Sequence, residues 1–138
     1  MKKTEFISKF FAKVDAIEFD WCEQQFTPDC IFQAPNFDER GGEIIMMWMG
    51  GFFAAYEGLK HRPFDIVADD NFAGFLLEAT GTHTGDMALP DGSVFEPTGR
   101  ELKFTIAEHW KFDGDLISEY RIFYDQIAFN EHVGITNS

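Results

Sequence analysis

Basic residues are scarce in this chain of 138: 11 Lys and Arg stand against 24 Asp and Glu, giving a net charge of −13. Binding to nucleic-acid phosphate needs clustered Lys and Arg. The only such pairing is Lys2-Lys3, so nucleic acid is excluded as a partner. Cysteine is nearly absent too. Cys22 and Cys30 make no disulfide framework and have no zinc-ligand company, so they read as small apolar residues. No apolar run approaches the roughly 20 residues of a membrane span, and the start carries no signal-peptide apolar segment. Repeats, low-complexity stretches and linkers are missing as well. The expectation is one domain over residues 1–138, cytoplasmic and without a membrane partner.

Phenylalanine is what the chain has in abundance, 17 residues within a 45% hydrophobic composition. That suffices for a real core, and aromatic rings line a cavity as readily as they fill one. The stretch Pro97 to Phe129 reads as two long strands folded back at Asp113-Gly114, a type I′ hairpin signal. We expect one antiparallel hairpin over 98–128. The period of two puts Leu102, Phe104, Ile106, Glu108, Trp110 and Phe112 on one face of the first arm. On the second arm it groups Ile117, Glu119, Arg121, Phe123 and Asp125. These apolar rows are interrupted by charge, and charge is rarely buried without a partner or a task.

The remainder supplies walls. Phe6, Ile7, Phe10, Phe11, Val14 and Ile17 form a helical stripe over residues 4–19. Asp20 stands as N-cap to a short helix, Trp21 to Phe26. Cys30 to Ala34 is a strand candidate ending at Pro35, and 36–42 reads as loop. A third helix begins at Glu43 and carries Trp48, Phe52 and Tyr56, with Gly50-Gly51 weakening it. Phe64 to Ala68 and Phe72 to Thr84 alternate as strands around Asp69-Asp70-Asn71. The glycine-containing segment 85–96, with Pro90-Asp91-Gly92 at its tip, reads as a mobile loop. Helices first and strands after is the α+β order.

The segments Gly81-Thr82-His83-Thr84-Gly85, Pro97-Thr98-Gly99-Arg100 and Phe112 to Glu119 followed by Asp125 resemble the SnoaL-like polyketide cyclase group of the NTF2-like superfamily. So do Phe26-Thr27-Pro28-Asp29 and the closing His132-Val133-Gly134. The resemblance implies a cone, a curved antiparallel sheet over about three helices with a deep apolar pocket, and a homodimer formed through the outer sheet face. It implies an aspartate at the position of Asp125 acting as acid/base in an aldol closure, with no cofactor and no metal. Arg121 stands where a tryptophan is common in that group. Ala34 stands where ketosteroid isomerases of the superfamily carry their basic aspartate.

Each candidate has a plain reading beside the chemical one. Asp125, between Phe123 and Ile127, is either an acid/base with a pKa raised by burial or a partner of Arg121 or of the backbone near the strand end. Glu108 and Arg121 form a structural ion pair, or else Arg121 binds an oxyanion with Glu108 or Glu119 orienting it. The latter arrangement resembles the acid–Arg–acid set of limonene epoxide hydrolases. His83 donates to a substrate carbonyl or serves as a structural histidine, while His61 and His132 show no company suggesting chemistry. Trp48 and Tyr56 are core or substrate wall, as are Trp110, Phe104 and Phe123. The outward row Lys103, Thr105, Ala107, His109 and Lys111, beside Ser118, Tyr120, Ile122 and Tyr124, would meet the second copy. Two functions remain open: an acid/base enzyme on a small apolar or polyketide-like carbonyl compound, with Asp125, Arg121 and His83 at its centre, or a non-catalytic ligand-binding module.

Overall fold

The computed structural model describes residues 1–136. Helix α1 (Lys3–Asp15) buries Ile7, Phe10, Phe11 and Val14, the stripe expected from spacings of three and four. It stops short of Ile17, which takes a positive φ of 59° and lies 61% exposed. Helix α2 (Phe19–Glu23) starts two residues earlier than its aspartate suggested, so Asp20 sits in the first turn and Glu18 holds the cap position. Strand β1 (Phe26–Ala34) turns at Asn36, in the left-handed region, into a short β2 (Phe37–Arg40) where a loop was expected. Helix α3 (Gly42–Ala55) runs unbroken through Gly50-Gly51, because burial of Ile45, Met46 and Met49 outweighs the propensity cost of two glycines.

The remaining chain is sheet and one more helix. Strands β3 (Tyr56–Ala68) and β4 (Phe72–His83) lead to a small hairpin, β5 (Met87–Ala88) and β6 (Val94–Phe95), inside the segment read as a plain loop. Then come β7 (Glu101–Asp113), β8 (Leu116–Phe123) and helix α4 (Gln126–Val133). The main sheet has six strands in the order β2-β1-β8-β7-β4-β3, antiparallel except for the β1–β8 pair. Irregularities in register within β3 and between β7 and β8 bend it around the helices. No helix among the described residues is long and apolar enough to cross a membrane.

The central hairpin exists, with two corrections. Asp113 pairs with Leu116, so the turn residues are Gly114 and Asp115, and only Gly114 has a positive φ, 61°. That is the pattern of a type II′ turn rather than I′. The second arm ends at Phe123 and not beyond Asp125. More consequential is a bulge: Phe112 pairs with Ile117 but Lys111 with Glu119, leaving Ser118 as an extra residue. One inserted residue flips every later side chain to the opposite face. Tyr120 and Ile122 therefore lie buried on the inner face, while Glu119, Arg121 and Phe123 lie outside. The first arm is as expected: Leu102, Glu108, Trp110 and Phe112 are buried, and Lys103, Thr105 and Lys111 are exposed.

Candidate functional site

A cavity of about 80 Å³ opens between the inner sheet face and the helices. Leu77, Leu102, Ile106 and Ile122 form its floor, and Phe11, Trp48 and Met49 cover it. Half-buried aromatics close the solvent side: Trp48 and Phe52 stand edge to face at 4.8 Å, and Phe129 lies 5.2 Å from Phe104 and 5.5 Å from Tyr124. The wall is apolar save for four side chains with titratable polar groups, Glu108, Tyr120, Tyr124 and His61.

Glu108 is the unusual member. It is 3% exposed, and its Oε1 accepts a hydrogen bond from Trp110 Nε1 at 3.0 Å. Burial raises its pKa from the ordinary 4.5 to about 8, and the nearby Tyr120 hydroxyl and the Trp110 N–H only partly offset that. The Tyr120 hydroxyl is itself fully buried; it acts on Glu108 through proximity without reaching hydrogen-bond geometry. Its own pKa is driven well above the phenol value by burial and by Glu108. At neutral pH the cavity therefore presents a protonated carboxyl group, a hydrogen-bond donor in an apolar wall.

His61 reaches the cavity from β3, and its partner comes from α1. Asp15 Oδ1 lies 2.7 Å from His61 Nδ1, and Asp15 Oδ2 accepts from the His61 backbone N–H at 2.9 Å. Both side chains are mostly buried, at 16% and 14% exposure. Rings of Phe11 and Phe53 pack against the imidazole at 5.8 Å each. Sequence reading missed this pair because 46 residues and no motif separate the two members. Only the packing of α1 on β3 joins them.

Several expected site residues lie elsewhere. Asp125 does not open on the cavity: it is exposed and caps α4, its Oδ1 accepting from Ile127 N at 2.9 Å and Ala128 N at 3.2 Å. The eight-residue helix after it was not foreseen, and its start explains the aspartate. Arg121 is on the outer face, where Nη1 meets Glu119 Oε2 at 2.7 Å and Nε donates to Gln33 Oε1 at 2.8 Å. Arg121 thus engages Glu119 as expected, and neither touches Glu108 or Asp125. Phe123 is 55% exposed on a shallow surface groove beside Pro35 and Phe37. Of the walls expected from sequence, Trp48, Phe104 and Glu108 line the cavity, and Trp110 stands directly behind Glu108.

Tyr56 belongs to a second core cluster with Leu59, Leu102, Met87 and Val133, which borders the cavity through Leu59 and Leu102, but neither Tyr56 nor His83 lines the cavity. His83 is 1% exposed and stacks between Tyr56 and Phe95, each at 5.0 Å. Its Nδ1 accepts from the Thr98 backbone N–H at 3.2 Å, while its own backbone pairs with Gly99 and Arg100. The Gly-Thr-His-Thr-Gly and Pro-Thr-Gly-Arg segments thus clasp each other. At Gly85 a Cβ would run into the Ala54 carbonyl, so that glycine is there for close packing. The row proposed to meet a second copy also changes: Tyr120, Ile122 and Tyr124 line the cavity instead.

Burial pushes the Cys22 and Cys30 thiols up to about 12, so neither is a nucleophile near neutrality. Among the described residues no three His, Cys, Asp or Glu side chains are grouped to hold a metal.

The family model described as a SnoaL-like domain matches residues 7–120. The chain belongs to the SnoaL-like family. Solved structures share the fold at low identity, with a ketosteroid isomerase-like, NTF2-like architecture among them. A proposed polyketide cyclase from Pseudomonas putida KT2440 is 18% identical with a TM-score of 0.75, covering 96% of this chain and 98% of that one. AclR, a proposed hydroxylase from Streptomyces galilaeus, is 15% identical with a TM-score of 0.76, covering 95% and 94%. A ketosteroid isomerase-like protein from Catenulispora acidiphila, solved with trimethylamine, is 14% identical with a TM-score of 0.74, covering 96% and 94%. No curated protein matches the sequence. For this SnoaL-like chain the comparisons establish the fold; the chemistry rests on its own side chains.

Proposed function

We propose that this SnoaL-like protein is a small-molecule enzyme that moves protons on an apolar carbonyl compound without a cofactor. The observation that carries this reading is Glu108, a carboxyl group held protonated to about pH 8 in the wall of an apolar cavity. A protonated carboxyl can donate to a carbonyl oxygen and stabilise the enol that develops as the adjacent C–H bond breaks. The acid/base role expected of Asp125 passes to Glu108, because a donor must reach the reacting oxygen. Epoxide opening by an acid–Arg–acid set is not part of this reading, since Arg121 bonds Glu119 and Gln33 on the opposite face.

Cavity size bears on the substrate. A cavity of about 80 Å³ is smaller than the roughly 150 Å³ that accommodates benzene and far below the roughly 300–1,000 Å³ of pockets for drug-sized ligands. A small ketone fits; a polycyclic polyketide requires the aromatic rim at Trp48, Phe52 and Phe129 to swing open.

The test is solvent deuterium exchange into small acyclic ketones such as acetone, followed by proton NMR. Wild-type protein is expected to accelerate exchange beside the carbonyl, and Glu108→Gln to remove about 10²-fold or more of that acceleration. Binding of the ketones without any exchange would instead identify a non-catalytic ligand-binding module.

A further inference from the structure

The cavity beside Glu108 holds about 80 Å³, and an open groove of about 880 Å³ lies against it. Ile122 and Tyr124 line both spaces. We propose that the two form one binding site for an elongated, uncharged ketone. Its carbonyl end enters the cavity, its apolar tail lies in the groove against Phe37 and Phe123, and Tyr124 is the partition that sets how long a ligand is accepted. This deepens the reading of Glu108 and rests on it for which end of the ligand faces inward.

The groove forms where two strands part. Strand β1 runs beside β8 as far as the Gln33–Arg121 pair and turns away at Asn36, whose φ of 61° is left-handed. Strand β8 continues to Phe123, so Ile122 and Phe123 have no β1 partner. On its other side Ile122 pairs with Glu108 across β7 and β8. Directly opposed side chains on one sheet face stand about 5 Å apart at Cβ, and both of these are buried on the inner face. Ile122 thus borders the groove while standing beside the proton donor. The second wall of the groove also backs onto the cavity, because Phe37 packs on Phe32 at 5.5 Å and Phe32 on Trp48 at 5.4 Å.

The two dividing side chains differ in freedom. Ile122 is held within β8, whereas Tyr124 is half-buried in the link between β8 and α4, in neither strand nor helix. Its ring rests on Phe129 at 5.5 Å and on Phe104 at 6.2 Å, both cavity walls. A change of rotamer at Tyr124 therefore joins the two spaces without disturbing the sheet. The chemistry of the groove selects the tail. Ala34, Pro35, Phe37 and the 55% exposed Phe123 give it an apolar surface. Asp38 is engaged by Arg40, and Gln33 Oε1 by Arg121 Nε at 2.8 Å. No cation is among the described residues that line it, so an anionic tail meets no counter-charge, while a flat ring meets two aromatic side chains.

The probe is 4-phenylbutan-2-one, a methyl ketone with a phenyl ring on a two-carbon arm, and acetone is the same head without the tail. Calorimetric Kd values need no proton transfer, and deuterium exchange beside the carbonyl reports on the head. Circular dichroism first shows each variant folded. Phe123→Ala should weaken the Kd of 4-phenylbutan-2-one about 10-fold and lower its exchange relative to that of acetone by a similar factor. Tyr124→Ala, or Tyr124→Leu if the former misfolds, should tighten that Kd about fivefold, because no ring has to be displaced. Tyr124→Phe should restore the wild-type value. Failure of 4-phenylbutan-2-one to bind, or equal Kd values in wild type, Phe123→Ala and Tyr124→Ala, overturns the proposal; acetone exchange that still falls in Glu108→Gln then leaves the acid standing. A Phe123→Ala change that dissociates a dimer without altering Kd assigns the groove to a second copy and overturns it too. Tail-dependent binding without any exchange in the wild type overturns the Glu108 reading, while the two-part binding site stands.

Discussion

Replacing Glu108 by Gln separates a buried acid from a buried carboxylate by stability alone, before any substrate is known. The folded-state pKa is about 8 against an ordinary 4.5, so between those values the folded chain holds one proton that the unfolded chain releases. With more protons bound in the native state, unfolding free energy falls as pH rises, by about 1.4 kcal/mol for each pH unit. Glu108 therefore contributes its full stability below pH 4.5 and loses it as pH rises through about 8. Across that window the loss amounts to about 5 kcal/mol, a large part of the 5–15 kcal/mol that typically holds a domain together.

Gln is isosteric, its oxygen can still accept from Trp110 Nε1, and it does not titrate. The assay is urea unfolding of both proteins from pH 5 to pH 9. Other acidic groups act on both alike, including the repulsion of a net charge of −13, so the difference between the curves isolates Glu108. Glu108→Gln is expected to gain on wild type steadily up to about pH 8 and to level off above it. A difference that stays flat over this range would mean that Glu108 is ionised in the fold, and the acid assigned to it would not exist.

Other expectations follow from particular contacts. Asp125→Ala should cost about 1 kcal/mol through loss of the α4 cap while leaving ketone exchange at the wild-type rate; a collapse of exchange would return Asp125 to the chemistry. Gly85→Ala should destabilise the fold by about 1–3 kcal/mol in thermal melts, because the new methyl meets the Ala54 carbonyl; an unchanged melting temperature refutes that packing. Trp110→Phe removes a donor that holds the Glu108 pKa down, so the alkaline limit of activity should move above the wild-type value of about 8, with about 1 kcal/mol of stability lost. A shift to lower pH would count against the assigned bond.

Local pattern was enough for the first helix, the inner face of β7, the β4 strand and the α+β order. In each, a periodicity of 3.6 or 2 follows directly from which face must be buried. Motif order likewise brought out the family. The aromatic character of the cavity was also legible, since Trp48, Phe104 and Glu108 alternate or repeat onto its walls. Tertiary structure alone decided the rest. Strict alternation carried Arg121 and Asp125 inward, but the bulge at Ser118 reversed β8 after Ile117, and no residue type announces where a register will slip by one. The cap role of Asp125 depended on a helix too short and too weakly amphipathic to read. The Asp15–His61 pair depended on two elements 46 residues apart coming into contact. A carboxyl group becomes an acid at pH 7 only when neighbours strip it of water, and which neighbours do so is a property of packing rather than of the order of residues.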